Sequence, residues 1–461
     1  MEDVGDPIRP EELEALFAPF ARWSSCALAV SGGSDSTALM ALFADWLRLK
    51  GLDGAGHAVV TVDHGLRADS ADEARSVART AIALGLPHRT LVWQGPRPRS
   101  GIQAVARSAR YRLIGDYLCA RGIALLLTAH TREDQAETLL MRLARGSGLD
   151  GLSAMSPLSP LPGRPAAGAE AAAGSLWIGR PFLDVPKARL RATLEARGIA
   201  WIEDPSNAAP EFERTRLRAA QRQLAALGLT PAMLALSAAR LARVRRAVDG
   251  LVDRICNPAT GVVRIDPWGV IGIDRAKLLE AGEEIALRVL ERAVAAAGGA
   301  AEPVPLGKLE PIAAAICRED CAAVRRWTLA RALLTAGGSE VLVEREPARV
   351  PLPELTLMPG DTALWDGRFQ VCVAPTFAGG PVQVRALGEA NVRDLRSRGA
   401  IAKDAPLRAA ALVPSFWLDG SLVAVPSLAY RVGPLAEGGL ETTFPGSGLR
   451  GSGKDPFRPA S

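Results

Sequence analysis

The sequence predicts an α/β fold. A doubly wound parallel sheet fills residues 1–210, a helical domain follows over 211–346, and a small β-containing C-terminal domain spans 347–450 before a flexible tail, 451–461. Three observations predict it. Apolar runs of strand length alternate with helical periodicity through the first 205 or so residues, as in successive βα units. Residues 211–335 or so read as mostly helical, with Ala, Leu and Arg at helical spacing from Arg214 to Val248 and apolar residues so spaced further on. Past Pro347, Pro-rich turns separate short strand-like runs.

Taken in order, Cys26–Val30 is a short buried strand, and a Gly-rich turn leads into a helix over 36–49. A second strand covers 57–62, helices cover 70–84 and 103–121, and a third strand covers 125–129. Helices over 132–145 and 186–197 flank a Pro-, Ala- and Gly-rich surface loop at 156–175. Helical spacing returns from Arg214 to Val248, over 275–297 and over 306–317. Phe369–Val373 and Leu422–Val425 read as strands, and the Gly-, Ser- and Pro-rich end from Thr442 as frayed chain. Ligands on such a sheet bind beyond the strand C-terminal ends. Ser31, Asp63, His64 and His130 each follow a strand, so they share one face.

Composition narrows the classes. With 461 residues the chain holds two or three cores. No run of eighteen apolar residues occurs, which excludes a spanning helix, and the acidic start Met1-Glu2-Asp3 is unlike a secretion signal. The six cysteines are scattered. Cys317 and Cys321 are four apart on a helix with no His nearby, so a zinc or iron–sulfur site is not expected, and reduced thiols in a cytoplasm are. The net charge is +5, and only six of the 55 basic residues are Lys. Such an Arg excess permits nucleic-acid binding, and genome base composition accounts for it equally well.

The Gly-rich turn carries the strongest chemistry. In Ser31-Gly32-Gly33-Ser34-Asp35-Ser36, backbone N–H groups and serine hydroxyls converge at a helix N-terminus, a place for an anion. It is not a Walker A loop: it lacks the Lys that reaches the terminal phosphates and carries Asp35, which suits a site that also holds magnesium. The pattern resembles the loop of the ATP pyrophosphatases, the PP-loop enzymes.

Three further clusters each admit two readings. In Thr131-Arg132-Glu133-Asp134-Gln135-Ala136-Glu137, Thr131 and Asp134 form a capping box at a helix start. Beside the Gly loop, Asp35 and Asp134 instead flank one Mg²⁺, leaving Glu137 for a cationic substrate. Arg107, Arg110 and Tyr111 share a helix face that is either solvated or turned to phosphates. Arg214, Arg218 and Arg222 form an i,i+4 stripe, a solvated face or a phosphate track. His64 is a candidate nucleotide contact, whereas His57 and His88 carry no comparable signal.

In ordered blocks over residues 24 to 220, the chain resembles the tRNA(Ile)-lysidine synthases. The blocks are Ser31–Ser36, Asp63–Arg67, Ala106–Tyr111, Glu133–Thr138 with Met141–Gly148, Arg180–Leu183 and Glu203–Asn207. A Cys-x-x-Cys pair, typical of tRNA-thiolating relatives in the superfamily, does not occur. The resemblance implies an ATP-dependent C–N ligase. ATP adenylates the wobble cytidine of the CAU-anticodon isoleucine tRNA, and free L-lysine displaces AMP. It implies that Ser31, Gly32, Gly33, Ser34, Asp35, Ser36 and His64 bind ATP, that Asp35 and Asp134 hold Mg²⁺, and that Asp35, Asp134 and Glu137 are catalytic. Glu137 would contact lysine, and Arg107, Arg110, Arg214 and Arg218 would bind the nucleotide or the tRNA. The middle and C-terminal domains would read the tRNA, with oligomeric state, monomer or homodimer, left open. Glu133 stands where the family commonly has Asp.

Overall fold

The computed structural model describes residues 5–63, 65, 70–94, 102–162, 176–203, 213–299, 302–318, 323–347, 351–402, 406–433, 439–444 and 449, with backbone alone at 102–104 and 213–215. The chain forms two compact units, divided between Arg246 and Ala247.

The first unit opens with α1 (Leu13–Phe17), β1 (Ala27–Ala29), α2 (Ser34–Leu49), β2 (Ala58–Asp63), α3 (Ser70–Ala83) and β3 (His88–Val92). Next come α4 (Ile102–Ala120), β4 (Leu125–Leu127), α5 (Arg132–Leu143), α6 (Leu149–Leu152), β5 (Leu158–Pro160), β6 (Trp177–Gly179) and α7 (Lys187–Ala196). α8 (Glu213–Ala219), α9 (Gln221–Ala226) and the start of α10 (Pro231–Ile255) complete it. The sheet runs β3-β2-β1-β4-β6-β5, parallel throughout except for β5. The chain winds outward from β1 to β3, then recrosses to β4 on the other side of β1, so the strand order reverses between β1 and β4. Open α/β sheets bind their ligands at such a switch point.

Both faces of this sheet are covered, which is why its central strands are apolar at every position. Leu28, Val59 and Leu127 face one side, packed with Phe17, Phe182 and the buried residues of α2 and α7. Ala27, Val60 and Leu126 face the other, against Tyr111, Ile114 and Leu118 of α4. α2 is apolar nearly all round because it is enclosed: Thr37 to Ala44 are all buried.

In the second unit, β7 (Val263–Ile265), β8 (Ile271–Asp274), α11 (Arg275–Glu280), α12 (Glu283–Gly298) and α13 (Leu306–Ile316) precede β9 (Arg325–Leu329), β10 (Ala332–Gly337) and β11 (Glu340–Arg345). These five strands make one antiparallel sheet, β7-β8-β11-β10-β9. Then follow β12 (Leu355–Leu357), β13 (Thr362–Trp365), β14 (Phe369–Val373), β15 (Val382–Ala386), α14 (Glu389–Ser397) and α15 (Leu407–Ala411). β16 (Pro414–Leu418), β17 (Ser421–Val425), β18 (Tyr430–Arg431) and β19 (Leu440–Thr443) are the last described elements. They form a five-stranded sheet, β12-β15-β16-β17-β18, and a three-stranded one, β13-β14-β19.

The expected helical stretch over 211–346 is corrected here, because the five strands β7 to β11 lie within it. Burial along β11 alternates strictly, with Val341, Val343 and Arg345 inward. The β9–β10 turn is made by Ala330 and Arg331, both with left-handed backbone (φ 47° and 67°) and neither a usual turn residue. The expected boundary at 210 also moves. α10 packs back on α5, with Leu234 and Ala238 against Ala136 and Leu139, so these helices belong to the first unit. No division falls at 346, because Asp366 binds Arg331 and Arg345 across it. Cys317 caps α13, and Cys321 lies outside the described residues.

Candidate active site

A cleft of about 860 Å³ opens at the switch point, lined by the Ser31–Ser36 segment, Thr128–Thr131, and side chains of α4, α5, α7 and α8. The loop's shape follows from its glycines. Gly32 has φ +90°, and a Cβ there would come within 2.6 Å of Ile202 Cδ1. Its carbonyl accepts from Ile202 N (2.9 Å) and Thr37 Oγ1 (3.2 Å), pinning the turn to the segment after α7. Gly33 then caps α2 with extended backbone. The serines interlock: Ser31 N donates to Ser36 Oγ (3.2 Å), and Ser36 Oγ donates to Gly33 O (3.1 Å). Three helices, α2, α5 and α7, begin at this cleft, so their positive dipole ends converge on it.

Two carboxylates, Asp134 and Glu137, line the same cleft. Asp134 Oδ2 accepts from Thr131 N (2.8 Å) and Thr131 Oγ1 (3.0 Å), so the capping box is real. The same side chain lines the cleft, and the two readings of Asp134 coexist. Glu137, only 7% exposed, accepts a bidentate pair from Arg218 of α8, Nε–Oε1 2.5 Å and Nη2–Oε2 3.2 Å. The sequence left Glu137 open to a cation; the cation beside it is Arg218. That hydrogen-bonded contact raises the Arg218 pKa, aided by Asp134 and Asp35.

Arg107, Arg110 and Tyr111 all line the cleft, with the Arg107 guanidinium 5.1 Å from the Tyr111 ring centroid. Arg180, anchored on Ser156 O (2.7 Å), lies within their field, and burial pushes its pKa down to about 10. His130 Nδ1 meets Thr128 Oγ1 at 2.9 Å on the cleft wall. His64 and the side chain of Arg214 lie outside the described residues. The residue that sequence reasoning missed is Lys187, the first residue of α7. Its Nζ lies 3.0 Å from Asp35 Oδ2, and its backbone N–H donates to Glu133 Oε2 at 3.0 Å. The only trace of it in the sequence is its rarity, as one of six lysines.

A Gly-Gly-Ser-Asp-Ser turn at the switch point of a doubly wound sheet, with carboxylates lining the same cleft, defines a nucleotide-binding protein of the PP-loop class. A family model described as a PP-loop domain matches residues 7–224. Relatives narrow the class. The tRNA(Ile)-lysidine synthase of Bradyrhizobium diazoefficiens is 44% identical over 369 residues, covering 76% of this chain and 97% of that protein. That of Methylobacterium nodulans is 44% identical, covering 74% and 98%. That of Ruegeria pomeroyi is 37% identical over 413 residues, covering 89% and 90%. The chain belongs to the tRNA(Ile)-lysidine synthase family of ligases.

Proposed function

We propose that the cleft binds ATP with its triphosphate on the Ser31–Ser36 loop, and that the chain makes lysidine at the wobble cytidine of the CAU-anticodon isoleucine tRNA. The observation that carries this reading is the meeting of the Gly loop with Asp35, Asp134 and Glu137 in one cleft of a chain of this family. In the first step the C2 carbonyl oxygen of the cytidine bonds to the α-phosphorus of ATP. The bond from that phosphorus to the bridging oxygen breaks, and pyrophosphate leaves with the electron pair. In the second step the ε-amine of free lysine, in its neutral form, bonds to C2 and passes a proton to water. The C2–O bond breaks, and AMP departs with that oxygen.

The loop N–H groups and the Ser31 hydroxyl bind the phosphates, and Ser34 and Ser36 join them by turning their O–H groups from Asp35 Oδ1 and Gly33 O. Asp35 and Asp134 suit Mg²⁺: both are hard oxygen donors on the cleft wall, 22% and 15% exposed. Asp134 Oδ2 is spent on the helix cap, so Oδ1 is its cleft-side oxygen. Among the described residues no group of three acids, His or Cys cages an ion, which fits an ion completed by substrate phosphates and water. Bound there, Mg²⁺ would offset charge on the triphosphate and the leaving pyrophosphate. Glu137 takes the lysine ammonium where Arg218 now sits, and Arg107 and Arg110 bind phosphates of ATP or tRNA. The exposed arginines of α8 to α10 bind tRNA. The reaction belongs in the cytoplasm, where tRNA, ATP and free lysine meet.

The test is a product assay with purified protein, ATP, Mg²⁺, labelled lysine and a CAU isoleucine tRNA transcript, read by nucleoside mass analysis. The expected product is lysidine that requires ATP and is absent with a methionine tRNA. Asp35→Ala should lower its formation by at least about 100-fold, from loss of metal and phosphate organisation. ATP-dependent pyrophosphate release with no lysine in the tRNA would move the second substrate to another nucleophile.

A further inference from the structure

We infer that Lys187 is a phosphate-binding residue that supplies from α7 the lysine the Gly loop lacks, and that Glu133 is the residue that positions it. This rests on the reading of the cleft as an ATP site. The loop carries no Lys, yet the charge of a leaving pyrophosphate calls for a cation near its oxygens. The fold brings one there. Lys187 Nζ is 3.0 Å from Asp35 Oδ2, and Asp35 lies where the loop enters the first turn of α2. The Lys187 side chain is about one third exposed and lines the same cleft as Ser31, Ser34 and Ser36.

Composition adds an independent argument. Basic residues in this chain are overwhelmingly Arg, and Lys is kept at only six positions. A partly exposed ion pair contributes little stability, so the Asp35 contact alone gives no reason to keep an ammonium here. A compact point charge on a flexible stem does: it can swing between Asp35 and a phosphate oxygen, where a planar guanidinium held by its fork cannot. In the adenylation step, as the bond from the α-phosphorus to the bridging oxygen breaks, the Lys187 ammonium donates to the departing pyrophosphate.

Glu133 fixes where this ammonium starts. Its Oε2 accepts the backbone N–H of Lys187 at 3.0 Å, tying the first residue of α7 to the first turn of α5. Glu133 also takes up a helix-terminal N–H that α7 cannot satisfy itself.

The test measures binding of ATP, pyrophosphate and AMP to the full-length wild type and variants by equilibrium dialysis. Lys187→Ala and Lys187→Gln should weaken ATP and pyrophosphate by about 10- to 100-fold, the range for one lost charge-assisted hydrogen bond, and leave AMP unchanged. Equal weakening of ATP and AMP, or none, would overturn the assignment. A second measurement needs no variant. Acetylation of wild-type protein, followed by peptide mass analysis, should show Lys187 protected by ATP and by pyrophosphate but not by AMP. Lys50, paired with Glu14 at 2.9 Å, serves as the unprotected reference. Labelling of Lys187 that ignores pyrophosphate would also reject the idea. Glu133→Ala should raise KM for ATP several-fold with little change in kcat, and Glu133→Gln, which keeps the acceptor oxygen, should restore it. Neither binding experiment uses tRNA or lysine, so the Lys187 outcomes stand apart from whether lysidine forms.

Discussion

At the scale of single residues, the proposed reading of the cleft gives Glu137 a part apart from the Gly loop. Glu137 is nearly buried and already holds a cation, Arg218, by two hydrogen bonds. A carboxylate so placed selects a charged, hydrogen-bonding partner, because an uncharged one leaves it desolvated and unpaired. Glu137→Gln should therefore raise KM for lysine by about 10- to 100-fold, the loss expected for a hydrogen bond between charged groups, with KM for ATP unchanged. Steady-state kinetics with each substrate varied in turn would check it, and a matched rise in both constants would take Glu137 out of the lysine site. Ser31 to Ser36, Asp134 and Glu137 were legible in the sequence because each belongs to a contiguous motif at the end of a strand or the start of a helix. Lys187 was not. Its pairing with Asp35 spans most of the domain's chain length, and nothing local marks it.

At the scale of elements, helices were legible and several strands were not. The helix expected over 70–84 is Ser70–Ala83, and that over 186–197 is Lys187–Ala196, because apolar spacing and terminators are local. β6 has only three residues, too few to show a period, and β9 to β11 are joined partly by a turn with no Gly, Asn or Asp at its centre. Tertiary contacts hold that turn. Arg331 pairs with Asp366 (2.5 Å), which also receives Arg345 Nε (3.0 Å) and Arg368 Nε (2.8 Å). The side chains of Asp366 and Arg368 are each 1% exposed, and burial pushes the Arg368 pKa down to about 10 despite the carboxylate beside it. Asp366→Ala would leave buried guanidinium groups unpaired, at a cost of about 3–5 kcal/mol, visible as a lower denaturant midpoint for the second unit. A second tie sits at the chain's start. Glu12 accepts from Arg189 of α7 through both oxygens (2.9 and 2.8 Å), and chiefly this contact lowers its pKa from 4.5 to about 2. A depressed acid stabilises the fold fully above its unfolded value and loses that contribution as pH falls through the folded one. The thermal midpoint gap between wild type and Arg189→Gln should thus hold above pH 4.5 and close towards pH 2. A gap independent of pH would show that Arg189 acts through its contacts to Asp6 O and Pro7 O instead.

At the scale of the molecule, the modest net charge of +5 conceals a concentration of sign. From Arg214 to Val248 the chain carries eight arginines and no Asp or Glu. Within it, Arg240, Arg243 and Arg246 follow one another at three-residue steps along α10 and are exposed. A bias of composition towards Arg over Lys would leave the missing acids unexplained, since an ordinary solvated helix mixes both signs. Such a face fits a polyanion whose phosphates repeat along a backbone. If it grips tRNA, changing all three arginines to Glu should weaken tRNA binding and flatten the dependence of log affinity on log salt by about three units of slope, one per lost phosphate contact. ATP binding should stay as in the wild type, because none of the three lines the cleft. Filter binding across a salt series measures both quantities on one sample set. An unchanged slope would make the stripe a solvated face and move tRNA contact to other surfaces, whereas a flatter slope with intact ATP binding would separate holding the tRNA from adenylating it.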